Sequence, residues 1–357
     1  MELSKQECNA LKGMAIIFIF IHNYCHLLTN APTENEYSWS IERTYKFYTA
    51  FPGDFFVSLF SFFGHYGVPI FVFLSGYGLA RKYSLIEMQK IFMFDYLKKH
   101  YLKLFKLMFP GLILYQAVSL ILSGRFDNLS VVSFVAQILF INNLIPTCFS
   151  AIVPGPYWYF GLTMQLYVLY LLMCRFGFLK KWILLAMCLL ALFLSKEHHN
   201  MTVWLKYNFI GSFLPFLLGL YFANNYKSQV FELKRMIALL IMISSLFLLF
   251  LLEFNFYTWV FACVPILCFS ICFIKSFGKS VIKCLATVGK VSHLVFVIHP
   301  IFRSVLFFMQ QSNILKWQSA LMIYIVLTLG SSFLLFLAHK KYVSLYNISI
   351  LQDVKKE

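Results

Sequence analysis

The chain has 357 residues, of which 61% are hydrophobic and only 12% are charged. A soluble domain is typically about 25% charged, so this composition excludes a soluble globular protein and requires a covering of lipid. The net charge of +16 does not indicate nucleic-acid binding, because no DNA- or RNA-binding motif accompanies it. We therefore predict an integral, multi-pass membrane protein with a single domain over residues 1–357.

Ten apolar stretches approach the roughly 20 residues that a helix needs to cross a bilayer. They predict an all-α polytopic bundle of about ten spans, at 11–29, 56–80, 102–122, 158–176, 182–195, 207–223, 236–253, 257–274, 291–310 and 318–338. Residues 131–144 are interpreted as a re-entrant or interfacial helix. The first stretch is interpreted as a retained span, because no small-residue cleavage site of a signal peptide follows it.

The distribution of positive charge predicts that both termini are cytoplasmic. In that orientation 23 of the 30 Lys and Arg residues fall in cytoplasmic segments, which is the usual bias of membrane proteins. The exceptions are Arg43, Lys46, Arg125, Lys196, Lys206, Arg303 and Lys316. The nine Cys residues are interpreted as small core residues, because most lie in apolar runs and no C-x-x-C pair occurs.

The first span carries three polar residues that need an explanation, His22, Asn23 and His26. Ionisable groups inside a span are costly and mark functional sites by default. Because His22 and His26 are four residues apart, they share one helix face, and imidazole is a good general base near neutral pH. Hydrogen bonding between helices is the structural alternative. No acidic or Cys partner lies at ligand spacing, so no metal site is predicted.

Four segments in order carry a family resemblance: 11–17 running to His22, 67–77 ending in Ser-Gly-Tyr, 157–161 with 165–167, and 292–294 with His299-Pro300. Together they resemble acyltransferase family 3, a family of membrane-bound acyltransferases. The resemblance covers nearly the whole chain and agrees with the ten-span count.

This resemblance implies transfer of an acyl group, usually acetyl, from cytosolic acyl-CoA to a hydroxyl of a carbohydrate or lipid-linked glycan. The expected place is a bacterial inner (plasma) membrane, and no cofactor is expected beyond the acyl-CoA donor substrate. His22 or His26 would be the general base, with Asn23 beside it to stabilise charge. Substrate contacts are expected from Lys12, Ser75, Arg81, Lys82, Trp158, Gln165, Tyr167, His299 and Arg303.

The sequence departs from the family pattern at several of these positions. Lys12 stands where the family usually has Arg, and His22 follows it by ten residues, whereas the family's His follows by eleven. Asn23 occupies that eleventh place, so the choice between His22 and His26 stays open. Gln165 stands where the family often has Glu, and an amide cannot act as an acid or base, so a hydrogen-bonding role is expected there. Pro69 replaces a frequent Asp.

Two other classes of function are compatible with buried His and Arg in a polytopic bundle. A proton-coupled transporter or polysaccharide flippase is the main alternative, although no internal repeat of the kind common in transporters is evident. A non-catalytic scaffold would leave His22 and its neighbours unexplained.

The outer loop with Glu34, Glu36, Glu42 and Asp54 is interpreted as solvated, with contact to the acceptor substrate as the alternative. His65 and His100 are expected at the membrane interface.

Overall fold

The computed structural model describes residues 2–28, 31–50, 54–83, 85–127, 130–148, 151–177, 181–225 and 235–353. In this part of the chain all regular structure is helical. The α-helices are α1 (Lys5–Cys25), α2 (Ile41–Ala50), α3 (Phe55–Phe63), α4 (Gly67–Lys82), α5 (Leu85–Lys90), α6 (Met93–Ser123), α7 (Val131–Ile138), α8 (Trp158–Phe176), α9 (Lys181–Leu194), α10 (His199–Tyr207), α11 (Phe209–Asn225), α12 (Arg235–Leu252), α13 (Phe256–Trp259), α14 (Cys263–Ser276), α15 (Lys279–Lys290), α16 (Ser292–Gln311) and α17 (Trp317–Asp353). Short 3₁₀ turns cover Gly64–Tyr66, Asn142–Leu144 and Gly155–Tyr157.

The helical, multi-pass architecture predicted from the sequence is confirmed. In the described ranges, seven helical segments are long and apolar enough to cross a bilayer: Lys5–Cys25, Phe55–Lys82, Met93–Ser123, Gly155–Phe176, Arg235–Leu252, Ser292–Gln311 and Trp317–Tyr342. The pair α10 and α11 makes an eighth if the two helices, bent by 41° at their junction, count as one span. Helices α9 and α14 match predicted spans but have only 14 residues each. The count of ten and the cytoplasmic termini therefore stay predictions.

Helix α1 lies at the centre of the bundle, packed against α15, α16, α3 and α4. Its approach to α15 is so close that a Cβ added to Gly13 would lie 1.9 Å from the Leu285 carbonyl oxygen. On the facing helix, a Cβ on Gly289 would lie 1.8 Å from the Asn9 carbonyl oxygen. Small residues at a helix interface let two backbones approach in this way, which is common in membrane bundles. The glycines thus set the position of the helix that carries His22.

A second close contact joins α4 to α11. A Cβ on Gly76 would meet the Phe216 carbonyl oxygen at 2.3 Å, and one on Gly219 would meet the Phe73 carbonyl oxygen at 2.1 Å. Residues 131–144, which were predicted to form a re-entrant or interfacial helix, contain α7. This helix has eight residues, too few to span a bilayer.

The cysteines agree with the core interpretation except at a few positions. All nine are free thiols, and Cys25, Cys148, Cys174, Cys188, Cys263 and Cys272 are buried. Cys268 is exposed on the surface of α14, so its interpretation as a core residue is wrong, and Cys284 is exposed as well. An apolar run does not show which face of its helix points outward.

We expect Gly13→Ala to destabilise the protein, because its methyl group would overlap the Leu285 carbonyl and force α1 away from α15. Overpacking a close interface typically costs about 1–3 kcal/mol. Thermal unfolding in detergent, followed by size-exclusion fluorescence, measures the loss. The matched control is Gly78→Ala on α4, where a Cβ would contact nothing within 4 Å. Equal unfolding temperatures for both variants would contradict the packing argument.

Candidate active site

His22 is buried on α1, with 2% of its surface exposed, and its two ring nitrogens have different partners. Nδ1 lies 3.1 Å from the carbonyl oxygen of Phe60 on α3. A carbonyl oxygen only accepts hydrogen bonds, so Nδ1 carries the hydrogen and the neutral ring keeps its lone pair on Nε2. Nε2 lies 3.5 Å from an oxygen of Glu36 in the outer loop. The pair can therefore accept a proton at Nε2 and stabilise the resulting imidazolium with the Glu36 carboxylate.

His26 lies directly beside His22 but has a different environment. The two rings stack with their centroids 4.9 Å apart, as expected for residues four apart on one helix face. The Nδ1 of His26 donates to the His22 carbonyl oxygen at 3.0 Å. The ion-pair contact of Glu36 is to His22, so the carboxylate distinguishes the two histidines that the sequence left equivalent.

Asn23 uses both ends of its amide in contacts within the protein. Its Nδ2 donates to the Ile19 carbonyl oxygen at 2.8 Å, and its Oδ1 accepts from Arg303 Nη1 at 2.9 Å. The same guanidinium nitrogen lies 3.3 Å from the Asn23 carbonyl oxygen. Asn23 therefore positions Arg303 of α16 beside the histidines, and the cation is the group presented to the cavity.

These side chains line an outer cavity of about 220 Å³. Its polar lining consists of His22, Asn23, His26, Glu34, Glu36, His65 and Arg303, and its aromatic lining of Tyr37, Trp158, Tyr159, Tyr207 and Phe296. Tyr37 stacks on Tyr207 with the ring centroids 4.1 Å apart, and burial raises the pKa of Tyr37 well above its usual range. Its phenol is therefore neutral at physiological pH.

A larger inner cavity of about 650 Å³ lies toward the predicted cytoplasmic side. Its polar residues are Asn9, Lys12, Ser75, Lys103, Thr163, Tyr167, Lys290, Ser292 and His293. Three lysines at one cavity favour a ligand with several negative charges. Most of the remaining lining is apolar, which suits the uncharged part of such a ligand.

The two cavities share four lining residues, Ile19, Val68, Tyr159 and Phe296. We call these four side chains the partition. Because the same side chains line both cavities, a single layer separates the His22–Glu36 pair from the cationic inner cavity. The arrangement therefore places a histidine–carboxylate pair and a lysine-lined cavity on opposite sides of one thin barrier.

The structure brings together only some of the residues predicted to bind substrate. Lys12, Ser75 and Tyr167 line the inner cavity, and Trp158 and Arg303 line the outer one. In contrast, Arg81 pairs with Glu2, and the Lys82 ammonium lies 4.9 Å from the centre of the Tyr83 ring. Neither of these two lines the inner cavity as described.

Gln165 and His299 have structural partners instead. The Gln165 Oε1 accepts the Phe209 amide hydrogen at 3.0 Å and so holds the start of α11. His299 is fully buried, and its Nδ1 donates to the Val295 carbonyl oxygen at 3.1 Å, four residues back in the helix that also contains Pro300. Neither residue lines the two cavities, so substrate contact stays a prediction for both.

The outer loop contributes residues that sequence reasoning placed in solvent. Glu34 and Glu36 both line the outer cavity, so the interpretation of these two as solvated is wrong. The Glu34-Asn35-Glu36 alternation is the available signal, since residues i and i+2 of an extended segment point to the same side. His65 and His100 are buried, with 5% and 6% of their surfaces exposed, and His65 reaches the outer cavity.

His22, Glu34 and Glu36 also form a group that could ligate a metal ion. One potential ligand atom from each lies within 4.8 Å of the others. A histidine with two carboxylates is a ligand set that Zn²⁺ accepts. No acidic partner lies at ligand spacing in the sequence, but the outer loop brings two carboxylates close to His22 in three dimensions.

A family model described as an acyltransferase domain matches residues 6–337. The chain belongs to acyltransferase family 3. It is therefore a multi-pass membrane acyltransferase, and the transporter and scaffold alternatives give way to an enzyme. No curated protein and no solved structure matches the chain.

We expect Gln165→Ala in this acyltransferase to lower stability more than it lowers catalysis. The change leaves the partly buried Phe209 amide without its acceptor, which costs up to about 1–3 kcal/mol. Thermal unfolding in detergent and initial rates on the same sample measure the two effects. Gln311→Ala at the exposed end of α16 is the control. A large loss of rate with unchanged stability would indicate that Gln165 takes part in catalysis or substrate binding.

Proposed function

We propose that this acyltransferase moves an acetyl group from acyl-CoA, bound at the cytoplasmic face, to a hydroxyl of a carbohydrate or lipid-linked glycan at the outer face of a bacterial inner (plasma) membrane. The observation that carries the proposal is the His22–Glu36 pair, separated from a cationic cavity by a single layer of side chains. The motifs shared with the family support the same donor and acceptor classes.

The inner cavity supports a CoA donor by its charge and its shape. CoA carries several phosphate charges, and Lys12, Lys103 and Lys290 offer ammonium groups to phosphate oxygens. The positive-inside rule places these lysines on the cytoplasmic side, where acyl-CoA is available. The apolar part of the cavity then suits the uncharged pantetheine arm, whose thioester end would point toward the partition.

The outer cavity supports a carbohydrate acceptor. Flat aromatic side chains such as Trp158 and Tyr159 can pack against the C–H faces of a sugar ring, while carboxylates accept hydrogen bonds from its hydroxyls. A drug-sized ligand needs about 300–1,000 Å³, so a cavity of about 220 Å³ takes only a small part of a glycan. The acceptor would therefore insert one sugar unit and leave the rest outside.

In the proposed reaction, His22 Nε2 removes the proton from the acceptor hydroxyl and Glu36 stabilises the imidazolium. The hydroxyl oxygen attacks the thioester carbonyl carbon, forming a C–O bond, and the negative charge that develops on the carbonyl oxygen faces the Arg303 guanidinium. The C–S bond then breaks, and the proton held by His22 passes to the leaving thiolate. These steps use no metal ion. They require that His22 Nε2 is not bound to a metal.

We expect His22→Ala to lower kcat by about 10²–10⁴-fold, the usual contribution of a general base. His26→Ala on the same helix face is the matched control and should lose far less, because the ion-pair contact of Glu36 is to His22. The measurement is thiol release from acetyl-CoA with a panel of membrane glycans, on samples that elute as folded protein.

Three outcomes would contradict parts of this assignment. Equal losses in His22→Ala and His26→Ala would remove the distinction between the two rings. Full activity in both would exclude a histidine base on this span. Loss of wild-type activity after treatment with a chelator, and its return with Zn²⁺, would show that His22, Glu34 and Glu36 hold a catalytic metal.

We expect the double variant Lys103→Ala, Lys290→Ala to raise KM for acetyl-CoA about tenfold, since each exposed charge contact contributes up to about 1 kcal/mol. Both lysines line the inner cavity and are exposed. With S-acetyl-N-acetylcysteamine, a thioester that lacks phosphates, the same variant should match wild type. Lys98→Ala, exposed on the same helix as Lys103, is the control. An equal rise in KM for Lys98→Ala would indicate a general surface potential rather than a site.

A further inference from the structure

Glu253 is a buried carboxylate outside the two cavities, and the proposed mechanism does not use it. It lies in the turn that follows α12 and has 1% of its surface exposed. Burial raises its pKa to about 7, because the charged form loses water. A buried carboxylate is tolerated only where hydrogen bonds and opposite charge offset that cost, so its partners show what it is for.

One partner is the outer loop that carries the site carboxylates. The Glu253 Oε2 accepts a hydrogen bond from Asn35 Nδ2 at 2.9 Å. Asn35 stands between Glu34 and Glu36, and its side chain turns toward Glu253 while theirs line the outer cavity. Each hydrogen bond that fixes Asn35 therefore also fixes which way its two acidic neighbours point.

Further contacts tie the same loop to the Glu253 backbone. The Glu253 carbonyl oxygen accepts from Trp39 Nε1 at 2.8 Å and from Thr44 Oγ1 at 3.1 Å. Thr44 also accepts from Asn35 Nδ2 at 3.1 Å, which closes the network. Residues separated by more than 200 positions are thus held together at one turn.

The second carboxylate oxygen of Glu253 contacts the segment that flanks His22 on its other side. Glu253 Oε1 accepts a hydrogen bond from the Tyr66 hydroxyl. Tyr66 follows His65, whose ring centroid lies 5.7 Å from that of His22. One carboxylate therefore bridges the two segments that flank His22, the outer loop and the 3₁₀ turn before α4.

We propose that Glu253 is a positioning residue that holds Glu36 at the distance from His22 needed for base catalysis. The inference rests on the proposed function, because it assumes that the His22–Glu36 pair performs the proton transfer.

Lys206 on α10 supplies a positive charge near these carboxylates. Its ammonium lies 4.4 Å from the centre of the Trp259 ring, in a small cavity that Glu36 also lines. Its positive charge favours the charged form of Glu253.

The decisive variant is Glu253→Asp, which keeps the carboxyl group but shortens the side chain by one methylene, so that it cannot bridge Asn35 and Tyr66. A misplacement of this size in a catalytic group can cost about a hundredfold, and we expect that loss in kcat. KM for acetyl-CoA should be unchanged, because the donor cavity lies across the partition. Glu253→Gln keeps the length and should recover part of the rate. Glu197→Asp, on an exposed carboxylate, is the matched control.

The test is a double-mutant comparison with Glu36→Gln. If Glu253 acts through Glu36, then Glu253→Asp should lower kcat little further in the Glu36→Gln background. Losses that multiply, a parallel rise in KM for acetyl-CoA, or an unchanged kcat in folded Glu253→Asp would each overturn the proposal.

Hydrogen exchange of residues 34–44 on the same samples separates this inference from the proposed function. Glu253→Asp should lose amide protection there, while Glu197→Asp should not. If wild type fails to transfer acetyl from acetyl-CoA, the proposed function is overturned, but the exchange data still decide whether Glu253 anchors the loop. Unchanged protection in Glu253→Asp would overturn the positioning role whatever the activity.

Discussion

The close packing of α1 determines where the His22 imidazole lies. Gly13 and Gly289 let the backbones of α1 and α15 touch, and His22 follows Gly13 by nine residues, or about 13 Å along the helix. A third glycine acts at the imidazole itself, since a Cβ on Gly64 would lie 2.6 Å from the His22 Cβ. The turn after α3 can therefore press against His22 and bring the Phe60 carbonyl to its Nδ1. The tautomer of the proposed base depends on these contacts between backbones.

The second half of the site comes from a segment of a different kind. The outer loop packs Tyr37 and Trp39 against the bundle, and polar contacts also fix its conformation. Arg43 Nη1, for example, donates to the Glu34 and Ser38 carbonyl oxygens at 3.0 Å. Such a loop can be precise only if each hydrogen bond is shielded from water. The apolar bundle supplies that shielding, because the turn after α12 buries Glu253 where the loop meets it. Lipid-facing helices thus support a polar site at their outer ends.

The sequence predicted most of what depends on local pattern. Apolar runs of span length became helices close to the expected positions, and the polar residues of the first span line a cavity, because both signals lie within one helix. Contacts between distant segments were not predictable. Arg81 was predicted to contact a substrate, and the sequence did not indicate that Glu2 of the N-terminal segment pairs with it. Glu36 is separated from His22 by a loop, so no spacing in the sequence indicates that their side chains meet.

The partition has a consequence for how charge is handled at the membrane. Carrying a polyanion such as CoA through a low-dielectric interior is very costly, whereas an acyl thioester is neutral. If the donor's charged end stays with the lysines of the inner cavity, only the thioester has to pass Ile19, Val68, Tyr159 and Phe296 to reach His22. The acyl group beyond the carbonyl would then occupy the outer cavity together with the acceptor sugar. Because that cavity is about 220 Å³, the volume shared by the two substrates favours a short acyl group over a long one.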